Sequence, residues 1–185
     1  MTIAKLIIPL SDYDERIKDL VTPAIGALDK VAYKRYSRGQ DLSGYEGDSK
    51  YPLTLVGHAN ELNFKTGIME YTSGAEVAKT LIERGLKATT FQFCLLAGCR
   101  GAHLSKRDGL FVKVGDELGI PVVASTTSVS MGRVSSEITL TPIDEGGWRV
   151  YYPETSEIFN LGASRCSTIK DTLDSFAFKC KLGVP

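Results

Sequence analysis

The chain has 185 residues, and its 22 lysines and arginines are balanced by 22 aspartates and glutamates. That length fits one domain able to bury roughly 70% of the surface its unfolded chain exposes, so the fold needs no disulfide or metal staple. The charge balance excludes the electrostatic footprint of a dedicated nucleic-acid or membrane-surface binder, and no run approaches the ~18 apolar residues of a membrane span.

The N-terminal apolar stretch, Ile3 to Leu10, holds Lys5 and Pro9 and runs into Ser11, Asp12 and Asp14 without a small-residue cleavage site, so it does not read as a secretory leader. The four cysteines, Cys94, Cys99, Cys166 and Cys180, form no C-x-x-C pair, and only two histidines are present. That spacing argues against a structural zinc site and for reduced thiols in a cytosolic compartment.

Short apolar runs alternate with helical patterns, the signature of an α/β sheet with crossover helices. Ala4–Leu10 reads as a strand. From Ser11 to about Lys30 the stripe Ile17, Leu20, Val21, Ala24, Ile25 and Leu28 reads as a helix, which Pro23 should kink or shorten. Tyr36 to Lys50 reads as a surface loop. Leu53–Gly57 is a second strand, ending at His58. Ser73-x-x-Glu76 is a capping box opening a helix with Val77, Leu81 and Ile82 buried and Gly85 at its end. Thr89–Ala97 reads as a central strand, ending at Gly98-Cys99. Ser105-x-x-Asp108 caps the next helix, packed through Leu110, Phe111, Val114 and Leu118 and stopped by Gly119. Pro121–Ser125 is a fourth strand. Glu137–Thr141 and Trp148–Tyr152 alternate around Asp144-Glu145-Gly146-Gly147 and read as a β-hairpin. Thr168-x-x-Asp171 caps a final helix carrying Ile169, Leu173, Phe176 and Cys180. No repeat or linker interrupts the chain, so residues 1–185 form a single domain.

Two segments carry candidate chemistry: Leu53-Thr-Leu-Val-Gly-His58-Ala59-Asn60-Glu61 and Phe91-Gln-Phe-Cys94-Leu-Leu-Ala-Gly-Cys99-Arg100-Gly101. Each is an apolar strand ending in glycine and then a reactive side chain. In a parallel sheet the carboxyl ends share one edge, where ligands collect. His58 and Cys99 therefore fall on that edge, and a thiol beside an imidazole is the minimum for a cysteine nucleophile. Gly57, Gly98 and Gly101 leave room for a substrate backbone, and N–H groups past the strand ends can hold an oxyanion. Taken singly, a Gly-His at a strand end is a turn residue and a Cys after a buried strand is packing; their shared edge favours chemistry. Cys94 reads as core, Cys166 and Cys180 as packing, and His103 as a surface or supporting residue.

The pair Leu-Val-Gly-His … Leu-Leu-Ala-Gly-Cys resembles the His and Cys motifs of clan CD cysteine peptidases, the group of caspases, gingipains and separase. It is most similar to the self-processing cysteine protease domains of RTX-type and large clostridial toxins, over roughly residues 3–155. The resemblance implies a caspase-like three-layer sandwich: a mostly parallel sheet flanked by helices, with a C-terminal β-hairpin and a final helix. It implies Cys99 as nucleophile, His58 as general acid/base, and the N–H groups of Ala59 and Cys99 as oxyanion hole. It further implies cleavage of a protein or peptide substrate after Leu, in the chain itself or in a host protein, as a bacterial toxin or effector domain that is secreted or injected, acts in the host cytosol, and belongs to a larger toxin or stands alone. Inositol hexakisphosphate is the implied allosteric activator. Arg133, Arg149, Lys170 and Lys179 are the candidate cations for it, though residues 163–185 are not densely basic. Val129 and Met131, after the fourth strand, are candidates for contacting the substrate Leu.

Ala59 stands where the family has glycine. If that position required φ > 0, alanine would cost about 1–2 kcal/mol. Asp12, Asp14, Asp41 and Asp48 are all candidates by residue type to orient His58, and spacing selects none. Two rival readings remain. Cys94 and Arg100 have the Cys-x5-Arg spacing of tyrosine-phosphatase-like proteins, although Phe93 replaces the usual preceding His. A catalytically inactive binding module of the same fold is the other, and Ala59 is the feature that favours it.

Overall fold

A computed structural model describes residues 2–3, 5–25, 31–47, 52–104, 106–134 and 137–161. In chain order they form β1 (Thr2–Ile3), β2 (Lys5–Pro9), α1 (Glu15–Ile25), β3 (Val31–Tyr33), β4 (Glu46–Gly47), β5 (Leu53–Val56), β6 (Asn63–Lys65), β7 (Tyr71–Ser73), α2 (Gly74–Glu83), β8 (Cys94–Ala97), α3 (Leu110–Leu118), β9 (Val122–Ser125), β10 (Val129–Val134), β11 (Glu137–Pro142), β12 (Trp148–Tyr152) and β13 (Glu157–Asn160). The final helix expected after Thr168, with Cys166, Lys170, Lys179 and Cys180, lies outside the described residues.

The central sheet has the order β3-β2-β5-β8-β9-β12-β13. Its first five strands are parallel, and β12 and β13 close one side antiparallel. Side chains alternate across the strands, so each face gathers its own core. Leu6, Ile8, Leu53, Leu55, Cys94, Leu96, Val122 and Ala124 pack with Val77, Ala78 and Leu81 of α2 and with Leu110, Phe111, Val114 and Leu118 of α3. Ile7, Val56, Leu95, Ala97, Val123 and Val150 face the other way, toward Ile17 and Val21 of α1 and toward Val129 and Leu140 of the β10–β11 ribbon. Burial on both faces explains why β5, β8 and β9 read as unbroken apolar runs. The chain is thus α/β, with a mostly parallel sheet covered on both sides.

Several sequence expectations shift. The Glu137–Thr141 and Trp148–Tyr152 segments are strands but do not pair with each other. β11 pairs with β10, while β12 joins β9 and β13. Alternation marks a strand but not its partner, and positive φ at Asp144 and Glu145 turns the connection from one sheet to the other. Only Cys94–Ala97 of the Thr89–Ala97 run is strand, because Ala88–Thr90 forms a 3-10 turn, with the Thr90 hydroxyl donating to the Lys87 carbonyl. Ile82 is 41% exposed; the buried stripe of α2 is Gly74, Val77, Ala78 and Leu81. α3 starts at Leu110 with Gly109 as its N-cap, not at a Ser105 cap. A Cβ at Gly109 would lie 2.4 Å from the Leu104 carbonyl oxygen, so only glycine lets the incoming loop pack there. One half of the Ser73–Glu76 capping box is present: the Ser73 hydroxyl accepts the Glu76 N–H. β3 and the β6–β7 hairpin carry too short a pattern to be read in advance.

Candidate active site

The carboxyl ends of β2, β5 and β8 meet at one edge of the sheet. Leu6 pairs with Leu53 and Pro9 with Val56 across β2 and β5; Leu53 pairs with Cys94 and Val56 with Ala97 across β5 and β8. Gly57 continues that ladder, donating its N–H to the Ala97 carbonyl at 3.1 Å. His58 and Cys99 each follow one residue later, so the register that pairs the strands places these two residues at the ends of neighbouring strands.

Glycine is required at both strand ends, for a different reason than the one expected. A Cβ on Gly57 would sit 2.8 Å from Ser11 Oγ, and one on Gly98 would sit 2.7 Å from the Gly57 carbonyl oxygen and 3.1 Å from Ala59 Cβ. A Cβ on Gly101 would lie 3.2 Å from Ala124 Cβ. The space these glycines leave is filled by the protein itself. They allow the three strand ends to close together, rather than making room for a substrate backbone.

His58 is held from two sides. Its backbone N–H donates to Ser11 Oγ at 2.9 Å, and that hydroxyl donates onward to the Lys65 carbonyl at 2.5 Å. Lys65 N–H returns a bond to the His58 carbonyl at 2.9 Å. Its ring Nε2 lies 2.7 Å from Asp14 Oδ2. The other Asp14 oxygen accepts the Arg16 N–H at 2.9 Å, satisfying an otherwise free donor in the first turn of α1. The His58 bond is the main reason the Asp14 carboxyl is held below the usual carboxylate range. An ionised Asp14 makes Nε2 the donor, so in the neutral imidazole Nδ1 is the nitrogen with a free lone pair. Of the four aspartates open by type, Asp14 is the one on His58. Asp12 is buried and takes the Ser37 hydroxyl at 2.6 Å, and Asp41 caps Ser43 at the surface. Asp48 lies outside the described residues.

The Cys99 thiol is half-buried and rests on β10. Val129 N–H donates to Sγ at 3.4 Å, and Sγ lies 4.0 Å from the Val129 carbonyl oxygen. Among the described residues, the N–H groups of Ala59 and Cys99 have no backbone acceptor, as an oxyanion hole requires. Ala59 is not among the residues with positive φ, so alanine in place of glycine carries no backbone strain. Arg100 is, at φ 55°; its N–H donates to the Thr127 carbonyl at 2.8 Å, which turns the chain sharply after Cys99.

The remaining predicted residues fall in varied places. Val129 is 8% exposed with its side chain in the core, so its contribution at Cys99 is made by its backbone. Met131 is half-buried against the same core. Arg133 lies in β10. Arg149 is committed to structure: Nη1 donates to the Ala102 and His103 carbonyls at 3.0 and 3.2 Å, and Nε to Asn160 Oδ1 at 3.0 Å. It braces the loop that carries Cys99. His103 is exposed, with Nδ1 3.2 Å from the Thr126 carbonyl oxygen. Cys94 lies wholly inside β8, where burial pushes its thiol far up, and Arg100 pairs with Glu61 at 3.5 Å. The Cys-x5-Arg spacing therefore spans a buried strand, and no phosphate cradle forms between its ends. Among the described residues no group of His, Cys, Asp and Glu could hold a metal ion, and no helix is long and apolar enough to cross a membrane.

No protein-family model matches the chain, and no curated protein is significantly similar to it.

Proposed function

We propose that the protein is a cysteine peptidase of the caspase-like type. The observation that carries this reading is the convergence at one sheet edge of Cys99 and of His58 held by Asp14, each one residue past a glycine on neighbouring parallel strands. In the proposed reaction His58 Nδ1 takes the Cys99 thiol proton. The sulfur adds to a substrate carbonyl, and the resulting oxyanion is received by the N–H groups of Ala59 and Cys99. His58 then gives the proton to the leaving amine, and water hydrolyses the thioester. Asp14 keeps the imidazole in the tautomer this requires.

A peptide substrate is supported by the edge of β10 away from β11, to which no strand pairs among the described residues. Ser128 carbonyl accepts the Ile143 N–H at 3.0 Å, so Ser128, Ser130 and Gly132 turn their backbone groups toward β11. Val129, Met131 and Arg133 alternate away from it, and Val129 already points at Cys99 Sγ. An extended chain can add to the Met131 N–H and C=O and bring a carbonyl to the thiol. The resemblance supplies the preference for Leu before the scissile bond, the toxin or effector role and action in a host cytosol. Cleavage of a denatured-protein peptide library, read by mass spectrometry, tests the function. Cuts that cluster after Leu and vanish in Cys99→Ala support it; no cuts in either protein support the binding-module reading.

A further inference from the structure

The loops that carry His58 and Cys99 are both tied to the start of α3. Leu110 N–H donates to the Glu61 carbonyl at 2.8 Å, and Phe111 N–H donates to the Gly101 carbonyl at 3.2 Å. These are first-turn donors with no acceptor inside the helix. One helix end thus anchors the chain three residues past His58 and the chain two residues past Cys99. A side-chain contact crosses the same gap: Arg100 Nη1 lies 3.5 Å from Glu61 Oε1, with the two side chains 55% and 31% exposed. Arg100 is the residue with positive φ directly after Cys99. A non-glycine residue in that conformation persists where its surroundings hold it, and such outliers gather at functional sites. Its N–H is fixed to the Thr127 carbonyl, two residues before the Val129 that touches the thiol.

We infer that Glu61 and Arg100 are positioning residues whose ion pair sets the separation of the His58 and Cys99 loops above the α3 anchor. This rests on the peptidase reading. Neither side chain touches the reacting atoms; each acts through the loop it belongs to. The anchoring N–H bonds fix the base of the gap, and the ion pair closes its outer side. Being partly exposed, the pair is weak and open to screening, so its effect is modest and salt-dependent.

The test is the rate of Cys99 alkylation by iodoacetamide in the full chain, located by peptide mass mapping, at about 0.05 and about 1 M salt. Glu61→Gln and Arg100→Gln should each slow it about five-fold at low salt, the rate equivalent of one such pair. The double variant should be no slower than either single. Arg100→Lys and the charge exchange Glu61→Arg with Arg100→Glu should recover most of the rate, and high salt should slow the wild type but not Glu61→Gln. Equal rates in wild type and Glu61→Gln, additive losses in the double variant, or no recovery in the exchanged pair would overturn the inference while Cys99 remains the preferred site. Failure of wild-type Cys99 to react ahead of the other cysteines would instead overturn the peptidase reading, and the role of the pair with it.

Discussion

Ser11→Ala is the substitution whose cost follows most directly from the structure. The Ser11 side chain is fully buried and holds two backbone groups, accepting from His58 N–H and donating to the Lys65 carbonyl. Alanine leaves both without a partner. A buried group stripped of its hydrogen bond costs about 1–3 kcal/mol. The His58 and Lys65 backbones are only partly buried, so water can reach them and the low end applies to each, about 2 kcal/mol together. With a urea slope of about 2–3 kcal/mol/M for a chain of this size, the unfolding midpoint should fall by about 0.7–1 M. The exposed Ser43, whose hydroxyl donates to Asp41, is the control, and Ser43→Ala should stay within about 0.5 kcal/mol of wild type. Because Ser11 also fixes the His58 backbone, Cys99 alkylation should slow in Ser11→Ala below its unfolding range. A midpoint shift no larger than that of Ser43→Ala would refute the claim that this hydroxyl holds the His58 loop.

Three further outcomes are expected. Gly98→Ala places a methyl 2.7 Å from the Gly57 carbonyl oxygen; it should cost about 1–3 kcal/mol in urea unfolding and slow Cys99 alkylation, and an unperturbed protein would show that the strand ends are not closely packed. Asp14 has a folded pKa below its unfolded value of about 3.9, so its contribution is complete well above that value and is lost as pH falls toward the folded one. Asp14→Asn should therefore be less stable than wild type at neutral pH, with the gap closing below about pH 5; a gap constant with pH would contradict the His58–Asp14 bond. Arg149→Gln removes the brace on the Ala102 and His103 carbonyls, so amide hydrogen exchange at Ala102 and His103 should accelerate, and any response to inositol hexakisphosphate should persist because this guanidinium is already engaged.

The placement of His58 and Cys99 at neighbouring strand ends is legible because such ends leave a plain pattern: an apolar run, a glycine, a polar residue. The same logic applied to the first strand would have reached Ser11 and Asp14, which follow β2 on the same edge. What obscured them is that Asp14 lies 44 residues from His58 in sequence and only strand order brings them together. Strand order was not in the pattern, and neither was strand pairing, which is why Glu137–Thr141 and Trp148–Tyr152 could be recognised as strands and still be given to each other. The role of the glycines is hidden for a related reason. Sequence shows where a Cβ is missing, not what occupies the space, and here Ser11, a carbonyl and Ala59 occupy it. Arg149, read as a candidate phosphate ligand from its charge, has its guanidinium on loop carbonyls that no residue pattern announces.

The central claim is that Cys99 is a nucleophile activated by His58. It is tested most directly by intact mass after incubation with a peptidyl electrophile bearing Leu at the reacting position, with and without inositol hexakisphosphate. A single adduct, mapped to Cys99 and greatly slowed in His58→Ala, is the predicted result, with dependence on the inositol phosphate marking the toxin-type processing domains. Modification of another cysteine first, or a rate at Cys99 indifferent to His58→Ala, would contradict the account.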